Sequence, residues 1–212
     1  MTRPLLLVGA GGLAREVVAA ARAADVPVRG MLDDDPARHG ATVDGVPVLG
    51  GLDEVHNHPD AQVLLCVANP ARPAGRAKVV ARLGLPDERY ATLVHPTASI
   101  ARGTELGAGT ILLAHVVITA PQRVGKHVLA MPQVLLTHDD VVHDGATLAG
   151  RVALAGGVTV GESAYLGAGA LVRQGVHIGP EAVVGMGAVV LADVPAGEIW
   201  AGNPAARLRR RT

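Results

Sequence analysis

The chain of 212 residues has no phenylalanine, one tryptophan and two tyrosines. A core without large rings fits a thin stack of small aliphatics better than the thick core of a sandwich or bundle. The only cysteine, Cys66, lies in the apolar run Val63-Leu64-Leu65-Cys66-Val67. One cysteine excludes an internal disulfide, fits a reducing compartment, and in this run reads as a small buried hydrophobe rather than a reactive thiol. Net charge is absent too, at +0, which argues against a nucleic-acid binder or an anionic-membrane binder. No apolar run approaches the length of a membrane span, and residues 1–8 lack the length and cleavage site of a signal peptide. The expectation is a cytoplasmic protein with no membrane insertion.

What is present is a strict period of six. From Val94 through Ile100, Leu106, Leu112, Ile118 and Val124, and on from Leu136 to Val190, every sixth residue is Val, Ile or Leu; only Ala130 departs. A helix cannot use this period, and a plain strand shows a period of two. A parallel β-helix uses it: each flat face is one short strand, and one inward aliphatic per face fills the core. Three hexads make a coil of about 18 residues, so this stretch gives roughly five coils. Four residues after each aliphatic the side chain is usually small, as at Ala98, Thr104, Thr110, Val116, Ala146 and Ala164. Glycine directly follows the aliphatic at 107, 125, 161, 167, 179 and 185, a placement expected of tight corners.

Residues 1–90 have a different pattern. Strands are expected over 5–8, 26–32 and 62–68, a small extended segment over 43–48, and helices over 13–24, 52–57 and 71–83. Strands alternating with helices imply a parallel sheet with helices on its faces. The stretch is half the size of a full dinucleotide-binding domain, which excludes an ordinary NAD-dependent oxidoreductase. The reading is a Rossmann-like α/β half domain over 1–90, then a β-helix domain over 91–212 whose end, from Pro195 to Ala205, leaves the repeat and runs into a basic tail.

Two groups carry chemistry. Gly9-x-Gly11-x-x-Ala14 follows a strand and opens a helix, so its amides can hold a phosphate. Asp33 and Asp34 lie about twenty residues on, where acids accept from ribose or base donors. A plain strand-to-helix turn remains the alternative. The second group is His138-Asp139. Among nine histidines, His39, His56, His58 and His95 sit in loop-like sequence, and His127 and His177 are expected to point outward. His138 has Ala120 and Gly156 as column neighbours, which leaves room beside it. The following acid can orient the imidazole as a general base. Asp140 takes a corner position that is otherwise small, so the coil should be irregular there. No spacing suggests a metal site.

Taken together, the motifs Gly9-Ala10-Gly11-Gly12-Leu13-Ala14-Arg15-Glu16, Leu32-Asp33-Asp34-Asp35, Val94-His95-Pro96-Thr97-Ala98, His138-Asp139 and Ala201-Gly202-Asn203-Pro204-Ala205 resemble the sugar O-/N-acyltransferases of the left-handed β-helix superfamily. The resemblance is to the sialic-acid O-acetyltransferase and nucleotide-aminosugar N-acetyltransferase type. It implies left-handed coils, against the usual right-handed crossover, and a homotrimer with each active site between adjacent solenoids. It implies His138 as general base, oriented by Asp139, and acetyl-CoA as co-substrate without a metal. Thr147, Gly156, Gly157, Gly202, Asn203 and Pro204 would line the acetyl-CoA groove. Gly9, Gly11, Gly12, Leu13, Asp33 and Asp34 would hold a nucleotide-sugar substrate. The chain departs from relatives at three places: Leu13 and Thr147 stand where histidine is common, and Met131 where asparagine is. Three functions are therefore weighed: N-acetylation of a nucleotide-linked amino sugar, O-acetylation of sialic acid or another sugar, and a non-catalytic solenoid trimer.

Overall fold

A computed structural model describes residues 3–208; residues 1 and 2 of the leader reading and the basic residues 209–211 lie outside them. The chain begins with β1 (Leu5–Val8), α1 (Gly12–Ala23) and β2 (Val28–Leu32). The extended segment expected over 43–48 is instead a tight antiparallel hairpin of β3 (Thr42–Val43) and β4 (Val46–Gly50), because Asp44 and Gly45 both take left-handed φ. A 3-10 turn (Leu52–Asn57), β5 (Gln62–Leu65) and α2 (Gly75–Leu83) follow. The helix expected from residue 71 starts later. Pro73 disfavours helical geometry at Arg72, and Asn69 accepts from the Ala71 amide to close a turn. The sheet order is β3-β4-β2-β1-β5, parallel apart from the hairpin. Apolar residues of α1 and those of α2 belong to different clusters on the sheet, so the helices cover opposite faces.

From Leu93 the chain winds into a parallel β-helix of two-residue strands stacked in three sheets. In chain order, the first face starts at Leu93–Val94, the second at Ser99–Ile100 and the third at Glu105–Leu106. Each strand pairs with the strand 18 residues on, as Val117 with Leu135 and Val124 with Val142. From Leu112 on, the sixth-residue aliphatics and the small hydrophobic residues four positions later form one buried column, with Val94, Ala98, Ile100 and Leu106 partly buried at its start. On the first face the outward residues Leu93, Ile111 and Leu129 are buried as well, because α1 and the β1–β5 sheet pack on them.

The corners correct one expectation. The glycines directly after the aliphatics have no left-handed φ; that conformation falls two residues later, at His115, His127, Gln133, Asp139, Arg151, Ser163 and Glu181 with φ of 55–66°, and at several glycines. The glycine after the aliphatic is needed because the next coil passes directly over it. A Cβ at Gly161 would stand 2.5 Å from the Pro180 nitrogen, and one at Gly167 2.6 Å from that of Met186.

His127 is a second correction. It is buried, not outward, with its ring edge-on to Tyr90 at a centroid distance of 4.6 Å. The N-terminal sheet, through Tyr90, covers the corner that would otherwise expose it. Burial, helped by the Arg76 charge, lowers its pKa, against the opposing pull of Asp144 and Asp87. Folding therefore excludes a proton that the unfolded chain binds near pH 6.5. This contribution to stability is present above that pH and is lost as pH falls through the depressed folded value. Thermal unfolding followed from pH 8 to pH 5 should show His127→Phe losing less stability on acidification than the wild type; equal losses would remove His127 as the cause.

Candidate active site

The corner between the second and third faces carries His138 and Asp139. Asp139 occupies the left-handed position, which aspartate tolerates better than most residues. There its Oδ2 lies 2.8 Å from His138 Nδ1. The His138 carbonyl accepts from the Gly157 amide at 2.9 Å, which ties the corner to the next coil. With Nδ1–H donated to Asp139, the open nitrogen is Nε2, the arrangement a general base needs. The imidazole lies directly on Gly156, where any Cβ would run into the ring. The room beside His138 is thus used by the ring itself. Both side chains are exposed, at 61% and 82%, so a substrate can reach them.

Asp140, in the next position, is 2% exposed. Its Oδ2 accepts from the Thr137 amide at 2.8 Å and its Oδ1 from the Val158 amide at 2.9 Å. The expected irregularity is present as a change of bonding while the strands continue on both sides. Neighbouring coils join Thr119 N to Leu136 O and Ala155 N to Val172 O. The matching amide of Thr137 turns to Asp140, and the Thr137 hydroxyl reaches the Leu154 carbonyl instead.

The other expected coenzyme contacts are spread out. Gly157 has left-handed φ, and a Cβ added there would meet nothing within 4 Å, so it borders open space. Gly202, Asn203 and Pro204 form the loop of a terminal hairpin, Ile199–Ala201 with Ala206–Arg207, and Gly202 O accepts from Val189 N at 3.0 Å. That loop closes the corner between the first and second faces, the opposite edge of the second face from His138. Thr147 is not available in an open groove: it is buried, and its hydroxyl accepts from Arg76 Nη2 at 2.5 Å. Arg76 also donates to the carbonyls of Gly145 and Ala146 at 2.8 and 3.2 Å, fastening α2 to the solenoid. Sequence reasoning missed Arg76, since an arginine on a short amphipathic helix reads as a surface cation. Its burial lowers the guanidinium pKa to about 10.

At the glycine turn the roles divide. Gly9 is explained by the fold: its φ is +104°, and a Cβ would stand 2.9 Å from the Cys66 carbonyl oxygen. Gly11 and Gly12 have nothing within 4 Å of a Cβ position, and α1 starts without a side-chain cap or an acid in its first turn. Their amides are thus open to an anion. Asp33 Oδ2 accepts from Ala10 N at 2.8 Å and Arg38 Nη1 donates to Ala10 O at 2.7 Å, so both shape the turn. Asp34 is engaged elsewhere: Arg82 pairs with it at 2.5 Å and holds its carboxyl below the usual range, and it accepts from Leu52 N. Leu13 packs at the edge of the α1 cluster, as does Met131. Met131 also lines a groove of about 670 Å³ between α1 and the corner of the first and second faces, together with Glu16, His95, Gln133 and Arg151. In that groove Glu16 has its pKa raised by burial. Among the described residues no group of three or more His, Cys, Asp or Glu could hold a metal, and no helix is long and apolar enough to cross a membrane.

Residues 157–192 match the family model described as hexapeptide repeat of succinyl-transferase. No curated protein matches the chain. Among solved structures, perosamine N-acetyltransferase from Caulobacter crescentus, in complex with CoA and GDP-perosamine, is 30% identical over 97% of both chains with a TM-score of 0.86. The acetyltransferase domain of PglB from Neisseria gonorrhoeae is 27% identical, covering 98% of this chain and 100% of that one, with a TM-score of 0.85. WeeI from Acinetobacter baumannii is 27% identical over 97% and 99%, with a TM-score of 0.76. A six-residue period wound into three stacked sheets, and likeness over nearly the full length of these proteins, lead to one assignment: the chain belongs to the sugar O-/N-acyltransferases of the left-handed β-helix, hexapeptide-repeat family.

Proposed function

We propose that the protein transfers the acetyl group of acetyl-CoA to the amino group of a nucleotide-linked amino sugar. The observation that carries this reading is the His138–Asp139 pair at 2.8 Å, exposed at a corner of the solenoid with Nε2 open. In the reaction the sugar nitrogen attacks the thioester carbonyl carbon. His138 Nε2 takes the proton the amine loses, the carbon–sulfur bond breaks, and the imidazolium returns that proton to the departing sulfur, which leaves as the thiol. Asp139 holds the ring in its tautomer and stabilises it as a cation. Full-length likeness to an enzyme solved with CoA and GDP-perosamine supports both substrate classes.

Residues 1–90 act as a Rossmann-like nucleotide-binding half domain and residues 91–212 as the acyltransferase domain. The amides of Gly11 and Gly12 meet phosphate, and Asp33 keeps the turn in shape. The working unit is a homotrimer. His138 and the Gly202-Asn203-Pro204 loop stand at opposite edges of the second face, so one chain cannot bring them together and a neighbouring copy can. That face is apolar on its outer side, with Val117, Leu135, Ala153, Leu171 and Val189, and Leu171 is 48% exposed.

A second reading, O-acetylation of a free sugar such as sialic acid, is favoured by one observation: the Arg82 ion pair leaves Asp34 less able to accept from a ribose or base. Calorimetry against UDP-, dTDP-, GDP- and CMP-linked amino sugars separates the two, and absence of binding to all four moves the assignment to a free sugar. Asp33→Ala should raise the KM for the sugar nucleotide about 10- to 100-fold, the worth of a hydrogen bond to a charged group, and leave the KM for acetyl-CoA unchanged. A rise in both would mean that the variant disturbs more than the nucleotide site.

A further inference from the structure

The corner position of Asp140 is filled by Val158 and Val176 in the next two coils, both buried in the solenoid core. A carboxylate in such a column is costly unless its charge is met by hydrogen bonds. Here two backbone amides meet it, and each has been taken from a partner that other coils supply. At the same corner of other coils the residue at this place closes its own turn, as Thr104 N does to Ala101 O at 3.1 Å and Val176 N to Arg173 O at 3.3 Å. Asp140 N instead donates to Gln122 Oε1 at 3.1 Å, one coil before, and Val158 N donates to Asp140 Oδ1, one coil after. Three consecutive corners are therefore joined through side chains, and the turn holding His138 is not closed by its own backbone. The peptide entering His138 is fixed by the carboxylate, through Thr137 N, and by the Thr137 hydroxyl on Leu154 O.

We propose that Asp140 is a positioning residue for the acyl transfer: its buried carboxylate fixes the peptide entering His138, through Thr137 N, and so holds the imidazole over Gly156, with Nε2 facing the acceptor. This rests on His138 being the general base. A valine here would free Thr137 N to return to Leu154 O, as the matching amides of neighbouring coils bond, and so rotate the peptide that enters His138.

The cost of the carboxylate supports a role outside stability. Burial pushes the Asp140 carboxyl above the usual range, against the two amides that pull it down. Of the charged groups acting on it, His138 favours the ionised form and Asp139 opposes it, while Gln122 and Val158, in the coils on either side, do not titrate. A carboxyl raised on folding stabilises most below its unfolded value near pH 4, and that contribution is lost as pH rises through the folded value. At neutral pH a neutral residue here should fold at least as well.

The test compares wild type, Asp140→Val and Asp140→Asn by steady-state kinetics, thermal unfolding and the nuclear Overhauser contact between the His138 ring protons and the Gly156 α-protons. Asp140→Val should melt at or above the wild-type temperature, keep its KM for acetyl-CoA within twofold, lose the ring contact, and drop in kcat by about 10- to 100-fold, the scale of a small misplacement of a reacting group. Asp140→Asn, which keeps one acceptor oxygen, should recover part of kcat. The proposal is overturned if the valine variant keeps kcat within twofold, or if it loses kcat only in step with a lower melting temperature while the ring contact stays. If the wild type transfers no acetyl group at all, the general-base reading fails. The ring contact still decides the positioning role, because its persistence in Asp140→Val overturns it.

Discussion

His138→Ala should lower acetyl transfer by about two to four orders of magnitude, the usual loss when a positioned general base is removed. The geometry sets this size. Asp139 takes Nδ1 at 2.8 Å, so the whole basic capacity of the ring is at Nε2. Thr147, which stands where relatives often carry a second histidine, is buried under Arg76 and carries no basic nitrogen. His143 is exposed but lies beyond the corner, on the third-face side, and nothing holds it toward the acceptor. The variant should bind acetyl-CoA as the wild type does, since the ring it removes lies over Gly156 at an exposed corner and packs into no core. Asp139→Asn should cost less than His138→Ala, because the ring keeps its place over Gly156 and loses only the charge that favours its cationic form. Measured turnover of His138→Ala within tenfold of wild type, with acetyl-CoA still bound, would remove His138 from the base role.

The repeat is readable because each face buries one side chain in six, fully from Leu112 to Val190 and partly at Val94, Ile100 and Leu106. The misreadings have a common cause: contacts between distant parts of the chain leave no local mark. His127 stands at the same corner place as His115 and Asp139, which are exposed, and only the packing of Tyr90 reverses its environment. Arg76 is separated by 69 to 71 residues from the groups it fastens. Asp34 lies just past the end of β2, as its spacing implies, but no spacing announces its Arg82 partner on α2. The oddness of Asp140 is visible as a charged residue in a column of small ones. What the sequence does not reveal is its hydrogen-bond partners, which lie in its own turn and in the coils on both sides. At the His138–Asp139 pair the adjacency of the two residues is sufficient, because with Asp139 in the left-handed position its carboxylate reaches the neighbouring ring at 2.8 Å.

The glycines after the aliphatics offer the sharpest test of how the coils stack. Gly161→Ala should destabilise the protein by about 1–3 kcal/mol, the cost of overpacking an interior that cannot relax, or roughly 2 to 12 °C in melting temperature for a chain of this size. The added Cβ would meet the Pro180 nitrogen at 2.5 Å, the Gly179 carbonyl carbon at 2.7 Å and the Ile178 oxygen at 2.9 Å. All three are backbone atoms of the next coil, so no side chain can swing aside and the coils must part. That strains the 2.7 Å bond from Gly161 N to Ile178 O, in an architecture whose stability is set by contacts between neighbouring repeats. Gly175→Ala is the matched control. Its φ is +72° with nothing within 4 Å of a Cβ, so it should cost only the ~1–2 kcal/mol of a left-handed residue, as seven non-glycine corners already do. Larger side chains separate the two causes when unfolding temperatures are compared. If glycine at 161 is needed for close approach, valine there should melt lower still than alanine, while position 175 should accept asparagine almost unchanged. If valine at 161 melts no lower than alanine, the next coil does not press on this glycine, and the stacking argument fails.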